Sequence, residues 1–428
     1  MQASDGPFPP PRLRPLLGPV VRERGAVPSG ALRLEEGLVG AIDEGVEALA
    51  LGELGDAGAH RDPRGGLPGR ALGDRGAKLL GGRYGLGSKD TTPAQIIAVY
   101  HNAETAGREK FTIGIEDDVT HLSLQTAECP DTTPAGNTNC MFWGLGSDGT
   151  VGANKNSIKI IGDKTDLYAQ GYFAYDSKKS GGVTVSHLRF GPNPIKSTYF
   201  INKADFVACH NPSYITKYDM VSVLKKGGKF LLNCGWDLSG LEEHLPGSVK
   251  RFIAENEIEL YTIDGIQIAR ELGLGGRINT ILQSAFFKIT NIIPVEDAVK
   301  FMKSAAAASY GDKGEAVIAM NYAAIDRGMD SVVKVDYPAD EWKNAEGEIP
   351  APAATGDRKD LVDFVNRVLF PAVAQKGDTL PVSAFKGIED GTMPCGTAAY
   401  EKRGIAVDVP VWNPEACIQC NFCSYVCP

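Results

Sequence analysis

The 428-residue sequence lacks any apolar run approaching the ~20 residues that a helix needs to cross a bilayer, which argues against a membrane partner. It also lacks an excess of positive charge. The net charge of −9 argues against a nucleic-acid binder. Cysteine is scarce and unevenly placed. Nine are present, and four of them crowd the last dozen residues, a pattern of metal ligation in a reducing compartment, hence cytoplasmic, rather than of a disulfide scaffold. The absences are sharpest over residues 1–77, where Thr, Asn, Cys, Tyr, Trp and Lys do not occur at all. Ala, Gly, Leu, Pro and Arg dominate there, the residues of GC-rich codons. An Arg-rich transit peptide is excluded by Glu35, Glu36, Asp43, Glu44 and Glu47. This span is expected to be a disordered or weakly helical extension, or an out-of-frame or misassigned start, and no function is assigned to it.

What is present begins at Lys78 with ordinary globular composition; over the whole chain 43% is hydrophobic and 23% charged. The densest feature is the run Phe142-Trp143-Gly144-Leu145-Gly146-Ser147-Asp148-Gly149-Thr150-Val151-Gly152-Ala153-Asn154-Lys155. It reads as strand, glycine loop, then a helix from Lys155 to Ile161. Glycines permit positive φ and close approach of a ligand, and the helix start offers free N–H groups suited to phosphate. The same pattern also fits a tight turn with no ligand. The spacing is not that of a P-loop, and no Ser or Thr follows Lys155.

Around this loop the signals alternate. Thr92-Pro93 opens a helix over Ala94 to Asn102, and Phe111 to Ile115 is a strand ending in Asp117-Asp118. Strands are predicted over residues 170–175, 183–190, 204–210, 229–233 and 258–263. Helices are predicted from His210 to about Leu224, near Leu241, and over 265–272, 277–289, 295–307 and 315–327. Alternation of this kind predicts an α/β fold, a mainly parallel sheet with flanking helices, with ligands at the carboxyl ends of strands. Residues 78–335 form this α/β domain, and residues 336–383 a Pro- and Ala-rich linker followed by a helix over Asp357 to Ala374. A small irregular domain over 384–410 carries Glu401-Lys402-Arg403, and residues 411–428 begin a further domain. His187 beside Arg189 either faces a ligand or is a satisfied strand histidine. His210 either serves a site at the sheet's carboxyl edge or sits in a turn. Asp117-Asp118 either ligates Mg2+ or forms a solvated turn. Cys209 and Cys234 read as buried core thiols.

Cys417-Ile418-Gln419-Cys420-Asn421-Phe422-Cys423-Ser424-Tyr425-Val426-Cys427-Pro428 is a C-x2-C-x2-C-x3-C-P run, the bacterial ferredoxin spacing. Cys417, Cys420 and Cys423 are expected to ligate one [4Fe–4S] cluster, with Cys427 helping to hold a second. Zinc or free thiols are the alternatives, although zinc sites more often use two separated CxxC pairs. None of Cys129, Cys140, Cys209, Cys234 or Cys395 has matching spacing, so this polypeptide alone is not expected to hold two intact clusters.

Several blocks resemble pyruvate:ferredoxin (flavodoxin) oxidoreductase. They are residues 82–89, the loop from Gly144 to Lys155, residues 168–173, residues 177–192, residues 275–288 and Glu401-Lys402-Arg403. The resemblance runs in order from about Lys78 to Pro428. It implies the middle of a longer enzyme: a γ-type domain, an EKR linker domain and the start of a two-cluster ferredoxin domain. It implies oxidative decarboxylation of pyruvate to acetyl-CoA, with electrons passing through [4Fe–4S] clusters to ferredoxin or flavodoxin. Thiamine diphosphate and Mg2+ would be bound by the remaining domains, not by this chain alone, and the full enzyme would be a homodimer. Gly144, Gly146, Ser147, Asp148, Gly149, Thr150, Gly152, Asn154 and Lys155 become candidates for the coenzyme A region. A stand-alone iron–sulfur or γ-type subunit, docking with separate thiamine-binding chains, is the rival reading. A dinucleotide-dependent dehydrogenase would need an acid after the second strand, where Asp176 stands.

Overall fold

The computed structural model describes residues 47–50, 79–84, 89–105, 107–176, 181–401 and 410–426. The chain divides between Leu79 and Leu80 into two units. In the first, the described backbone includes the short strand β1 (Glu47–Ala50). The rest of the expected extension over 1–77 lies outside the described residues.

β2 (Leu79–Arg83), which lies in the second unit from Leu80 on, pairs in parallel through Gly81, Gly82 and Arg83 with β3 (Lys110–Thr112), by way of α1 (Pro93–Glu104). Thr92 caps α1: its side chain accepts from Gln95 N, and the Gln95 side chain accepts from Thr92 N, a complete capping box with Pro93 in the first turn.

The main body is a seven-stranded sheet. Its strands are β4 (Thr138–Leu145), β5 (Tyr168–Tyr175), β6 (Val183–Gly191), β7 (Ala204–Cys209), β8 (Leu224–Asn233), β9 (Glu259–Ile263) and β10 (Val333–Lys334), in the order β10-β9-β8-β7-β4-β6-β5. β4, β7, β8 and β9 are mutually parallel; β6 and β10 run against the other five strands. Every residue of β6 is buried, and so are six consecutive residues of β4, as expected of strands covered on both faces.

Alternate side chains of β4 feed two cores. Cys140 and Phe142 face one, where Phe142 meets Phe206 and Phe286 at 5.6 and 5.1 Å between ring centroids. Met141 and Trp143 face the other, where Trp143 stacks on Tyr218 at 5.5 Å. Helices supply both cores. They are α2 (Thr150–Lys164), α3 (Leu238–His244), α4 (Gly247–Glu255), α5 (Gly265–Glu271), α6 (Asn279–Thr290), α7 (Val295–Tyr310) and α8 (Glu315–Asp330). α6 is buried almost all round, with α7 and α8 packed against it.

Three local expectations are corrected, and one helix is new. The helix predicted after His210 is absent. Asn211 instead caps a single 3-10 turn (Pro212–Tyr214) by accepting from Ser213 N, and Asp219 accepts from Ser222 N. Such side chains compete with helical hydrogen bonds. β8 begins at Leu224, not Lys229: Gly227 (φ 73°) and Gly228 form an irregularity inside the strand, not a turn before it. Helix α4 was not anticipated. The stretch read as a linker contains α9 (Ala339–Trp342), and Trp342 is buried there, stacked on Tyr337 at 4.9 Å.

The helical expectation from Asp357 to Ala374 holds with one modification. α10 (Lys359–Phe364) passes through a wide π turn (Val365–Leu369) into α11 (Phe370–Val373). Pro371 lacks an N–H and its ring crowds the carbonyl one turn back; the wide turn accommodates both.

Candidate functional site

The glycine loop follows β4 at the point where the sheet order reverses. β6 lies on one side of β4 and β7 on the other, so a crevice opens at the carboxyl end of β4. Two glycines shape it sterically. A Cβ on Gly144 would come within 2.5 Å of Thr150 Oγ1, so the strand approaches the helix start too closely for any side chain. Gly149 has φ +91° and directly precedes α2. Ser147 also adopts a positive φ (76°), rare for a residue with a side chain. The helix therefore begins at Thr150, earlier than the predicted Lys155, and Gly152 lies in its first turn.

Asp148 organises the loop. Its Oδ2 accepts from Leu145 N at 2.9 Å and from Thr150 Oγ1 at 2.8 Å, and its Oδ1 accepts from Thr150 N at 2.7 Å. The carboxylate thus meets one of the four orphan N–H groups of the helix start. Gly146 N donates to Gly182 O at 2.7 Å, tying the loop to the residue before β6.

The resulting cavity is about 380 Å³ in volume. Of the residues singled out from the sequence, Gly146, Ser147, Asp148, Gly149 and Gly152 line it. Gly144 and Thr150 are buried against each other and do not line it. Asn154 is buried with its Nδ2 unpaired among the described residues. Lys155 is exposed and lies over the Phe173 ring at 5.4 Å, away from the lining. Asp176, the acid that the dinucleotide reading of this loop requires, lines it too, and Tyr175, Gly182 and Thr184 join the lining without having been singled out for this loop. The signal that could have found them is the Gly181-Gly182 pair between two predicted strands, whose role depends on the antiparallel pairing of β5 with β6.

Below the loop the strand ends are cross-linked. His210 is buried beside Thr150, with Nδ1 2.7 Å from Thr150 Oγ1. Burial pushes its pKa down to about 4, against a smaller upward pull from Asp148. His187 is a satisfied strand residue: Nδ1 accepts from Ile201 N at 3.1 Å, and the ring stacks on Phe200 at 4.6 Å. Burial, then the charge of Arg189, pushes it to about 3. Asp117 accepts from Val119, Thr120 and Leu122 N–H groups, and Asp118 from Ser383 N, so both carboxylates serve turns and tethers. Cys209 and Cys234 are buried, and burial raises both thiols, Cys234 to about 11.

Cys417, Cys420 and Cys423 are exposed thiols near the short helix α12 (Phe422–Val426); Cys427 lies outside the described residues. Gln419 (φ 57°) and Asn421 (φ 61°) kink the two sides of Cys420, and Gln419 N donates to Cys417 Sγ at 3.4 Å. A hydrogen bond from the Trp412 side chain, then that from Gln419, lowers the Cys417 thiol. This donor set has the chemistry of an iron–sulfur ligand group, although among the described residues no three His, Cys, Asp or Glu side chains converge on one point.

Comparison with known proteins locates this site in a family. Residues 139–331 match the family described as pyruvate ferredoxin/flavodoxin oxidoreductase, and residues 352–406 match the EKR domain, a domain of unknown function. The chain is 54% identical to the pyruvate-flavodoxin oxidoreductase of Enterobacter agglomerans, over 82% of its own length and 29% of that protein's. It is 54% identical to the pyruvate:ferredoxin oxidoreductase of Moorella thermoacetica, over 83% of this chain and 30% of that one. It is 47% identical to the pyruvate dehydrogenase [NADP(+)] of Cryptosporidium parvum, over 82% of this chain and 19% of that one. The chain therefore spans less than a third of the length of these relatives.

Proposed function

We propose, from the premise that residues 139–331 belong to the pyruvate ferredoxin/flavodoxin oxidoreductase family, that this chain supplies the coenzyme A-facing and electron-entry region of such an enzyme. The whole enzyme would decarboxylate pyruvate oxidatively to acetyl-CoA and pass the electrons on through [4Fe–4S] clusters. Residues 78–335 would be the γ-type domain, 336–383 the linker and helix, 384–410 the EKR-type domain, and 411–428 the start of the cluster domain. Thiamine diphosphate and Mg2+ would be held by parts of the enzyme outside this chain. The working enzyme would be a cytoplasmic homodimer. Among the described residues no helix is long and apolar enough to cross a membrane. Relatives named for flavodoxin, ferredoxin and NADP+ all share this region, so the choice of acceptor would rest with the parts this chain does not span.

The observation that carries the coenzyme A reading is the cavity at the switch point of the sheet, within the family-matched stretch. Val151 and Gly152 line it, and their N–H groups lie in the first turn of α2, beyond the Thr150 amide that Asp148 holds, where a phosphate is favoured. Gly152 allows a clean test. A Cβ there would meet nothing within 4 Å, and Gly152 lines the cavity, so Gly152→Leu adds bulk at that space. Calorimetric titration of coenzyme A should give binding to the unaltered chain and a loss of about tenfold or more in the variant. Equal binding by a folded Gly152→Leu chain would refute the reading.

A further inference from the structure

His210 is the first residue after β7, and its backbone is fixed from both sides. Its N–H donates to Trp143 O at 2.9 Å, and its carbonyl accepts from Asn233 Nδ2 at 2.8 Å. Asn233 Oδ1 in turn accepts from Gly265 N at 2.9 Å, at the start of α5. A single polar chain thus links the carboxyl ends of β4, β7, β8 and β9. The His210 side chain extends it to the glycine loop through Thr150 Oγ1 and Asp148 Oδ2, at 2.7 and 2.8 Å.

Counting protons fixes the direction of each bond. A carboxylate only accepts, and a hydroxyl has one proton to give. Thr150 gives its proton to Asp148, because otherwise two oxygen lone pairs would face each other at 2.8 Å. Thr150 Oγ1 is then an acceptor toward His210, and His210 Nδ1 must carry the hydrogen. A neutral imidazole protonated at Nδ1 has a bare lone pair at Nε2. His210 Nε2 is buried and has no hydrogen-bond partner among the described residues. A buried N–H there would be a stranded donor, the rarer of the two conditions.

We propose that His210 is a positioning residue for the glycine loop. As the Nδ1–H tautomer it orients the Thr150 hydroxyl toward Asp148, and Asp148 then fixes the amides of Leu145 and Thr150 on either side of Ser147 and Gly149. The loop is thereby shaped before a ligand enters. The role in ligand binding rests on the reading of this cavity as the coenzyme A site.

Two variants of the full chain separate positioning from space-filling. In His210→Asn the amide nitrogen can take the place of Nδ1 and donate to Thr150. In His210→Gln the amide lies farther out, near Nε2, although glutamine is closer to histidine in volume. Coenzyme A affinity should stay within about threefold in the Asn variant and fall about tenfold in the Gln variant. The amides of Leu145 and Thr150 should exchange faster in Gln than in Asn. Long-range proton–nitrogen spectra of the unaltered chain should show a neutral ring with hydrogen on Nδ1, assigned by its loss in either variant. An Nε2–H ring, or a Gln variant that outperforms Asn, would overturn the proposal. Failure of the unaltered chain to bind coenzyme A would sink the functional reading instead. The tautomer and exchange results would still decide the relay.

Discussion

Gly144 and Gly152 occupy one loop for opposite reasons. Gly144 has no room for a Cβ, whereas Gly152 has room to spare and faces the cavity. Composition alone cannot separate the two, because it registers glycine and not the neighbour that excludes a side chain. The histidines were half legible in the same way. His210 at a strand's carboxyl end marked a place near the site, but its partner Thr150 lies 60 positions earlier in the chain. Their burial has a consequence for pH. An unfolded histidine takes up a proton near 6.5, whereas His210 in the fold does so near 4 and His187 near 3. Below 6.5 the unfolded state therefore binds more protons, and stability falls with falling pH; above 6.5 these residues contribute no slope. Urea midpoints should decline between pH 6.5 and 4, before most carboxylates titrate, and His210→Asn should flatten part of that decline. A midpoint constant through this window would contradict the burial assigned to both rings.

At the scale of elements, periodicity and composition succeeded where burial was simple and failed where polar side chains intervened. β6, buried along its whole length, and α6, a long apolar helix, were legible within a few residues, whereas β4, with its apolar run from Cys140 to Trp143, was read only as the strand that enters the glycine loop. The turn after His210 was missed because Asn211 and Asp219 bond to backbone N–H groups, a competition that apolar spacing does not register. The supposed linker misled in the other direction. Its Pro, Ala and Glu content suggested a solvated tether, yet the Tyr337 hydroxyl lies within hydrogen-bond distance of both Ile253 O and Ile258 O, and Arg251 donates to Ala345 O and Gly347 O. A carbonyl of this segment, Glu346 O, lies 2.0 Å from where a Cβ on Gly247 would be, so the segment closes directly over α4. Trp342→Ala should therefore behave as a core truncation and destabilise by about 3–5 kcal/mol. A true linker position would shift stability by ~0.5 kcal/mol or less, which thermal and urea unfolding would distinguish.

For the whole molecule, the open quantity is how much metal this length of chain can hold. The cysteine run is the sharpest expectation the sequence carries, because its spacing alone points to the chemistry. Its geometry was not legible, since cluster ligands adopt their positions around the metal they bind. Left-handed kinks at Gln419 and Asn421 flank Cys420, and the lowered thiol of Cys417 favours the thiolate a cluster needs. By spacing, Cys417, Cys420 and Cys423 would supply three of the four ligands of one cubane, and Cys427 would belong to another. Anaerobic reconstitution with iron and sulfide should therefore give substoichiometric, labile iron, below the about eight atoms per chain of a two-cluster domain. Cys420→Ser should lower it further, whereas Cys395→Ser, exposed and outside the run, should leave it unchanged. Full occupancy at about eight irons would mean that ligands outside the run complete both clusters. Tight zinc in preference to iron would favour the rival metal and remove electron transfer from this end of the chain.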